Sequence, residues 1–132
     1  MIFIDASALC AILLNEDDAE GFAIKLSAVD QPLTSPVAVF ETVLAHARSL
    51  GGDVAAARRD VARLLEMTNT RLVPIGAAEQ SAALDAFDRF GKGRHPARLN
   101  MGDCFAYACA KTQGVPLLFK GDDFSQTDIA IA

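Results

Sequence analysis

The chain is poor in the patterns that mark several large protein classes. Its three cysteines, Cys10, Cys104 and Cys109, are an odd number without the paired spacing of a zinc site. That argues against a disulfide framework and points to small buried hydrophobes in a reducing compartment. The two histidines, His46 and His95, stand alone with no ligand spacing between them, and His46 reads as a helix-face residue. No apolar run approaches the roughly 18 residues that a spanning helix needs. The opening lacks the basic region of a secretory leader, and Asp5 interrupts its apolar run. The expectation is a cytoplasmic protein with no membrane segment. Acids outnumber bases, 17 to 12, for a formal net charge of −5. Bulk charge therefore does not draw the chain to a polyanion, and nucleic acid would need a local basic patch or a bound metal. There is no glycine-rich phosphate loop of recognised pattern. Cys104 has no histidine near it in sequence to make a nucleophile.

What is present is ample material for a core. Of 132 residues, 52% are hydrophobic and only 22% charged, which disfavours disorder and suits one domain spanning residues 1–132. Residues 1–5 read as a short buried strand, residues 7–14 and 17–29 as helices, and residues 33–34 as a weak strand. Ser35-Pro36 reads as an N-cap with proline in the first helical position, opening a helix that stops at Gly51-Gly52. Asp53 caps the next helix, to about residue 68, and residues 71–75 form another strand. A helix over residues 77–90 is expected to carry Leu84 and Phe87 inward. Asn100 caps a helix that ends at Gly114, with Asp103 at capping-box spacing. Residues 115–120 form the last clear strand, and residues 129–131 are a candidate edge strand. Strands alternating with helices or helix pairs predict an α/β fold with a central parallel sheet covered by helices on both faces.

Four carboxylates fall where such a fold gathers side chains. Asp5 closes the first strand, and Asp122 follows the apolar run Leu117-Leu118-Phe119. Glu41 and Asp103 are the only acids in two apolar helical stretches. In open parallel sheets, ligands sit beyond the carboxyl ends of the strands, at the edge where these helices begin. Each position has an ordinary use as well: Asp5 as a cap, Asp103 in a capping box, Asp122 in a turn. Glu41 shares a stripe with Val37 and Leu44, where a charge is out of place unless it faces something. Gathered acids repel one another, by ~4 kcal/mol for two charges about 4 Å apart at an effective dielectric of 20. A hard divalent cation removes that penalty and prefers oxygen ligands.

The motifs that carry these acids resemble those of PIN-domain ribonucleases, and among them the VapC-type toxins of toxin–antitoxin pairs. The matching pieces are Ile4-Asp5-Ala6-Ser7-Ala8-Leu9, Ser35-Pro36 with Phe40-Glu41, Asn100-Met101-Gly102-Asp103-Cys104-Phe105-Ala106-Tyr107-Ala108, and Pro116-Leu117-Leu118-Phe119-Lys120-Gly121-Asp122-Asp123-Phe124 with Thr127-Asp128-Ile129. They cover the whole chain in order. The resemblance implies a PIN fold and a metal-dependent endoribonuclease that hydrolyses RNA phosphodiester bonds. It implies Mg²⁺ or Mn²⁺ held by Asp5, Glu41, Asp103 and Asp122, with Asp123 the alternative fourth acid and Asp128 a residue supporting the site from behind. It further implies a cognate VapB-type antitoxin and a homodimer.

Ser7, two residues after Asp5, is placed to bond a ligand or its water, although serines at helix starts commonly cap. Arg89, Lys92, Arg94, His95 and Arg98 form the one basic concentration. It is either a solvated loop or a rim on which Arg94 and Arg98 contact phosphate. Other functions are open. One is a PIN-like module that holds RNA or a protein without cutting. A haloacid-dehalogenase-type phosphatase would want a second aspartate where Ser7 stands, and a receiver domain would want an acceptor aspartate after Ile75.

Overall fold

The computed structural model describes all residues, 1–132. Its strands are short and its helices carry most of the chain. In order they are β1 (Phe3–Ile4), α1 (Ala6–Leu13), α2 (Ala19–Ser27), β2 (Leu33–Thr34), α3 (Pro36–Ser49), α4 (Val54–Met67), β3 (Arg71–Leu72), α5 (Ala77–Phe90), α6 (Met101–Gln113) and β4 (Leu117–Leu118), followed by a 3₁₀ turn at Phe124–Gln126. All strand pairs are parallel and the sheet order is β3-β2-β1-β4, with Phe3 opposite both Leu33 and Leu117. The expected last edge strand is a single bridge from Ile131 to Leu117.

Strand alternation divides the core between two faces. Phe3, Leu33 and Leu117 point to one side, where they pack with α5 and α6. Ile2, Ile4 and Leu118 point to the other, against α1 and α2. A smaller cluster of Val43, Ala47, Ala57 and Val61 joins α3 to α4. Because helices cover both faces, every central strand residue is apolar except Thr34, whose hydroxyl donates to the Ile4 carbonyl at 3.0 Å.

Side-chain caps hold the helix starts at the sheet's carboxyl edge. Asp5 accepts from Ser7 N–H, Ser35 from Ala38 N–H at 3.1 Å, and Asn100 from Asp103 N–H at 2.9 Å. Gly114 ends α6 in the left-handed region, at φ +66°.

Three expectations fail here. Leu84 and Phe87 point outward, 64% and 38% exposed, because α5 meets α6 through Ala83, Ala86 and Phe90. Those three lie one helical turn apart, and Leu84 and Phe87 belong to the next stripe round, about 100° away. His46 is buried rather than on an open face. Its Nε2 lies 2.8 Å from Asp60 Oδ2 of α4, which ties the last turn of α3 to its neighbour. Asp128 does not back the acids. It accepts from the Tyr107 hydroxyl at 2.5 Å and from Arg89 at 3.2 Å, with Lys111 at 3.6 Å, clasping the returning tail to α5 and α6.

Candidate metal centre

Asp5 leaves β1 with its amide donating to the Leu118 carbonyl at 2.9 Å, so it is fixed against the end of β4. It is 4% exposed. Its Oδ2 accepts twice from Ser7, from the backbone N–H at 3.0 Å and from the hydroxyl at 2.5 Å. The same hydroxyl accepts the Lys120 N–H at 3.0 Å. Ser7 thus locks Asp5 to the loop that follows β4. Burial raises the Asp5 carboxyl above its ordinary range, the two Ser7 bonds oppose that, and the charge of Asp123 adds to it.

Asp103 lies on α6, at its third position. Its Oδ2 accepts the Asn100 N–H at 3.1 Å, completing the capping box read from the sequence. Burial pushes it up to about 6, against the pull of the Asn100 bond, with Asp5 and Asp123 contributing repulsion. Glu41 stands in the second turn of α3, half-buried, and makes no side-chain hydrogen bond. Burial, then the charges of Asp5 and Asp103, push it up to about 7. Its carboxylate rests against the backbone of Gly102, where a Cβ would overlap both oxygens.

Asp5, Glu41 and Asp103 therefore come together from three separate helix starts. From the Gly121 turn, the acid that acts on them is Asp123, whose charge raises Asp5 and Asp103. Asp122 contributes to neither. Its carbonyl accepts from Ser125. The donor set is all carboxylate oxygen, with no imidazole among it, and it suits Mg²⁺ or Mn²⁺ rather than zinc. As they stand, no three of these side chains are close enough together to close on one ion. Asp5 and Asp103 each have one oxygen engaged in a cap, leaving Oδ1 of each without a hydrogen bond. Cys10, beside the cluster, is held as a thiol by burial and by the charges of Asp5, Glu16 and Glu41.

The basic loop is only partly available. Arg94 pairs with Asp88 at 2.9 Å and lies over the Phe87 ring, and Arg89 is engaged by Asp128. Arg98 is exposed, at φ +55°, two residues before the Asn100 cap, and joins no ion pair. Gly102 was not singled out from the sequence. The signal for it is a glycine in the first turn of a helix beside a candidate ligand, where alanine would favour the helix more.

These shifts predict a pH dependence for the metal-free protein. Glu41 and Asp103 keep protons in the folded state to about 7 and about 6, and lose them near 4.5 and 3.8 when unfolded. The folded state binds more protons between those limits, so stability falls as pH rises from about 4 to about 7. After discounting for solvent screening, each group accounts for roughly 1 kcal/mol. In EDTA the melting temperature should be several degrees higher at pH 5 than at pH 8, and Glu41→Gln should flatten the difference. A melting temperature that rises with pH in both proteins would contradict the packing described.

Comparison with known proteins gives a consistent picture. The PIN domain family matches residues 2–130. The VapC ribonuclease Mb0640 of Mycobacterium bovis is 43% identical over 127 residues, covering 96% of this chain and 95% of the relative. Among solved structures, the Mycobacterium tuberculosis sarcin–ricin loop cleaving toxin VapC20 superposes with a TM-score of 0.77 at 21% identity, over 100% of this chain and 98% of that one. A toxin–antitoxin complex from Klebsiella pneumoniae gives 0.72 at 13% identity, over 100% and 97%.

Proposed function

Because the chain belongs to the PIN-domain family, with close relatives among the VapC ribonucleases, we propose that it is a metal-dependent endoribonuclease and the toxin of a toxin–antitoxin pair. The observation that carries this reading is that Asp5, Glu41 and Asp103 come from three helix starts to one edge of the sheet, where burial first and neighbouring acids second raise all three carboxyls. Those three and Asp123 are the residues that would hold Mg²⁺ or Mn²⁺; of the two candidates for the fourth acid we favour Asp123 over Asp122, because its charge acts on Asp5 and Asp103. When bound, the cation supplies Lewis acidity to a phosphate oxygen and acidifies a water. The chain's own residues prepare the place. Ser7 and Asn100 fix the Asp5 and Asp103 carboxylates through one oxygen each. Gly102 leaves room for Glu41, and Arg98, unpaired and two residues before the Asn100 cap, is a cation of the basic loop for a phosphate of the RNA.

A VapB-type antitoxin as partner is supported by the naming of the relatives and by the Klebsiella fold neighbour, which is a toxin–antitoxin complex. A homodimer is supported by the outward apolar face of Leu84, Phe87 and Met101, beside a hollow of about 290 Å³ between α5 and α6. No helix is long and apolar enough to cross a membrane, which is compatible with a cytoplasmic toxin.

The test is incubation of antitoxin-free protein with total RNA in Mg²⁺ or Mn²⁺ and in EDTA. Discrete fragments that depend on the cation are expected, and their ends identify the RNA. RNA binding without cation-dependent cleavage would instead identify a PIN-like binding module.

A further inference from the structure

A groove of about 320 Å³ leads away from the acids between α1 and α3, and Glu41 itself lines its mouth. Ser7 and Cys10 come from α1, and Phe40, Leu44 and Arg48 from α3. Glu41, Leu44 and Arg48 are spaced at three and four residues, so they follow one face of the helix. Two features of this face suit a ligand. Phe40 is 64% exposed although it adjoins a half-buried acid. Arg48 is exposed and takes part in none of the six ion pairs of the structure, which leaves its guanidinium open to a ligand.

An aromatic face followed by a free guanidinium, in a groove continuous with a phosphate-cleaving centre, matches one ligand chemistry. Single-stranded RNA offers bases that stack on aromatic rings and phosphates that take arginine. We infer that this groove holds the RNA strand flanking the cleaved bond, with a base stacked on Phe40 and a backbone phosphate on Arg48. The inference rests on the ribonuclease reading above. Arg48 lies seven residues beyond Glu41, about 10 Å along the helix. That is the length of roughly three stacked nucleotides at ~3.4 Å each. Acids at the groove's mouth and a cation at its far end also set a direction. The strand would be held by Arg48, where the field is positive, and led toward the carboxylates that would hold the cation.

The experiment compares wild type with Arg48→Gln and Phe40→Ala on a short cleavable RNA across a range of KCl, with gel filtration of each protein. Neither side chain is buried, so both variants should keep their melting temperature. Arg48→Gln is expected to raise KM about 10-fold with kcat within about twofold. It should also reduce the slope of log(1/KM) against log[KCl] by about 0.7, the value for one phosphate on a single strand. Phe40→Ala should raise KM about 10-fold with no change in that slope. Unchanged KM and slope in both variants would overturn the inference. So would a change in oligomeric state accompanying the loss in Phe40→Ala, which would make the face a protein contact. Should the wild-type protein cut no RNA, the ribonuclease reading fails separately. The groove is then judged by anisotropy of a fluorescein-labelled oligouridylate, where Arg48→Gln must still weaken binding and flatten its salt dependence. An oligouridylate that does not bind wild type overturns the groove as well.

Discussion

Gly102→Ala should reduce cation-dependent RNA cleavage by at least about 100-fold while leaving the protein folded. Ordinary helix energetics predict the opposite of damage, since alanine is favoured over glycine in a helix by ~1 kcal/mol. The added methyl, however, would occupy the space of the Glu41 carboxylate. That carboxylate is the far end of a flexible, half-buried side chain with no hydrogen bond to hold it. It turns away more cheaply than the backbone of α6 moves. The expected variant is therefore as stable as wild type or slightly more so, and has lost one of its acids from the site. Losses of 10- to 100-fold in metal affinity follow even from misplacing residues behind the ligands. The check is Mn²⁺ affinity by calorimetry with a melting curve, in Gly102→Ala alone and combined with Glu41→Asp. The shorter acid should fit beside the methyl and restore part of the binding. Wild-type Mn²⁺ affinity in the single variant would show that Glu41 has no part in the site, and an unfolded variant would show that α6 and not Glu41 gives way.

Asp5→Asn should abolish cleavage and at the same time raise the melting temperature of the metal-free protein. Asn keeps the shape and an oxygen to accept from Ser7, so the start of α1 survives. What goes is a buried charge that desolvation and Asp123 both oppose. For a chain of this size, each 1 kcal/mol gained appears as about 3–5 °C. Mn²⁺ reverses the order. Wild type gains ~2.7 kcal/mol at a hundredfold excess over Kd, and the variant gains little. Melting curves with and without Mn²⁺ should cross over between the two proteins. If Asp5→Asn melts lower than wild type in EDTA, the buried carboxylate is supporting the fold rather than straining it.

Local signals in the sequence were enough for much of this. Ser35-Pro36, Asp53 and Asn100 announce their helices because capping is a matter of neighbouring residues, and all three act as caps. The parallel sheet follows from alternating strands and helices, even where a strand pairs over only two residues, as β2 does. The outward turn of Leu84 and Phe87 was not legible, since a helix with apolar residues on adjacent stripes does not state which stripe its partner will choose. Nor was the burial of His46, which depends on Asp60 arriving from a different helix. Asp122 and Asp123 are two equal residues in one turn, and no pattern in the sequence states which of them faces the other acids. The seat of Glu41 against Gly102 joins positions on α3 and α6 that no periodicity connects.

The Asp128 clasp has a thermodynamic meaning for the opposite side of the molecule. The segment that carries Asp123 leaves β4, passes through the 3₁₀ turn and is caught by Tyr107, Arg89 and Lys111. A loop held at both ends samples few conformations. The entropy of ordering the Asp123 carboxylate is then lost once, when the chain folds, and would not be lost again on binding the ion proposed above.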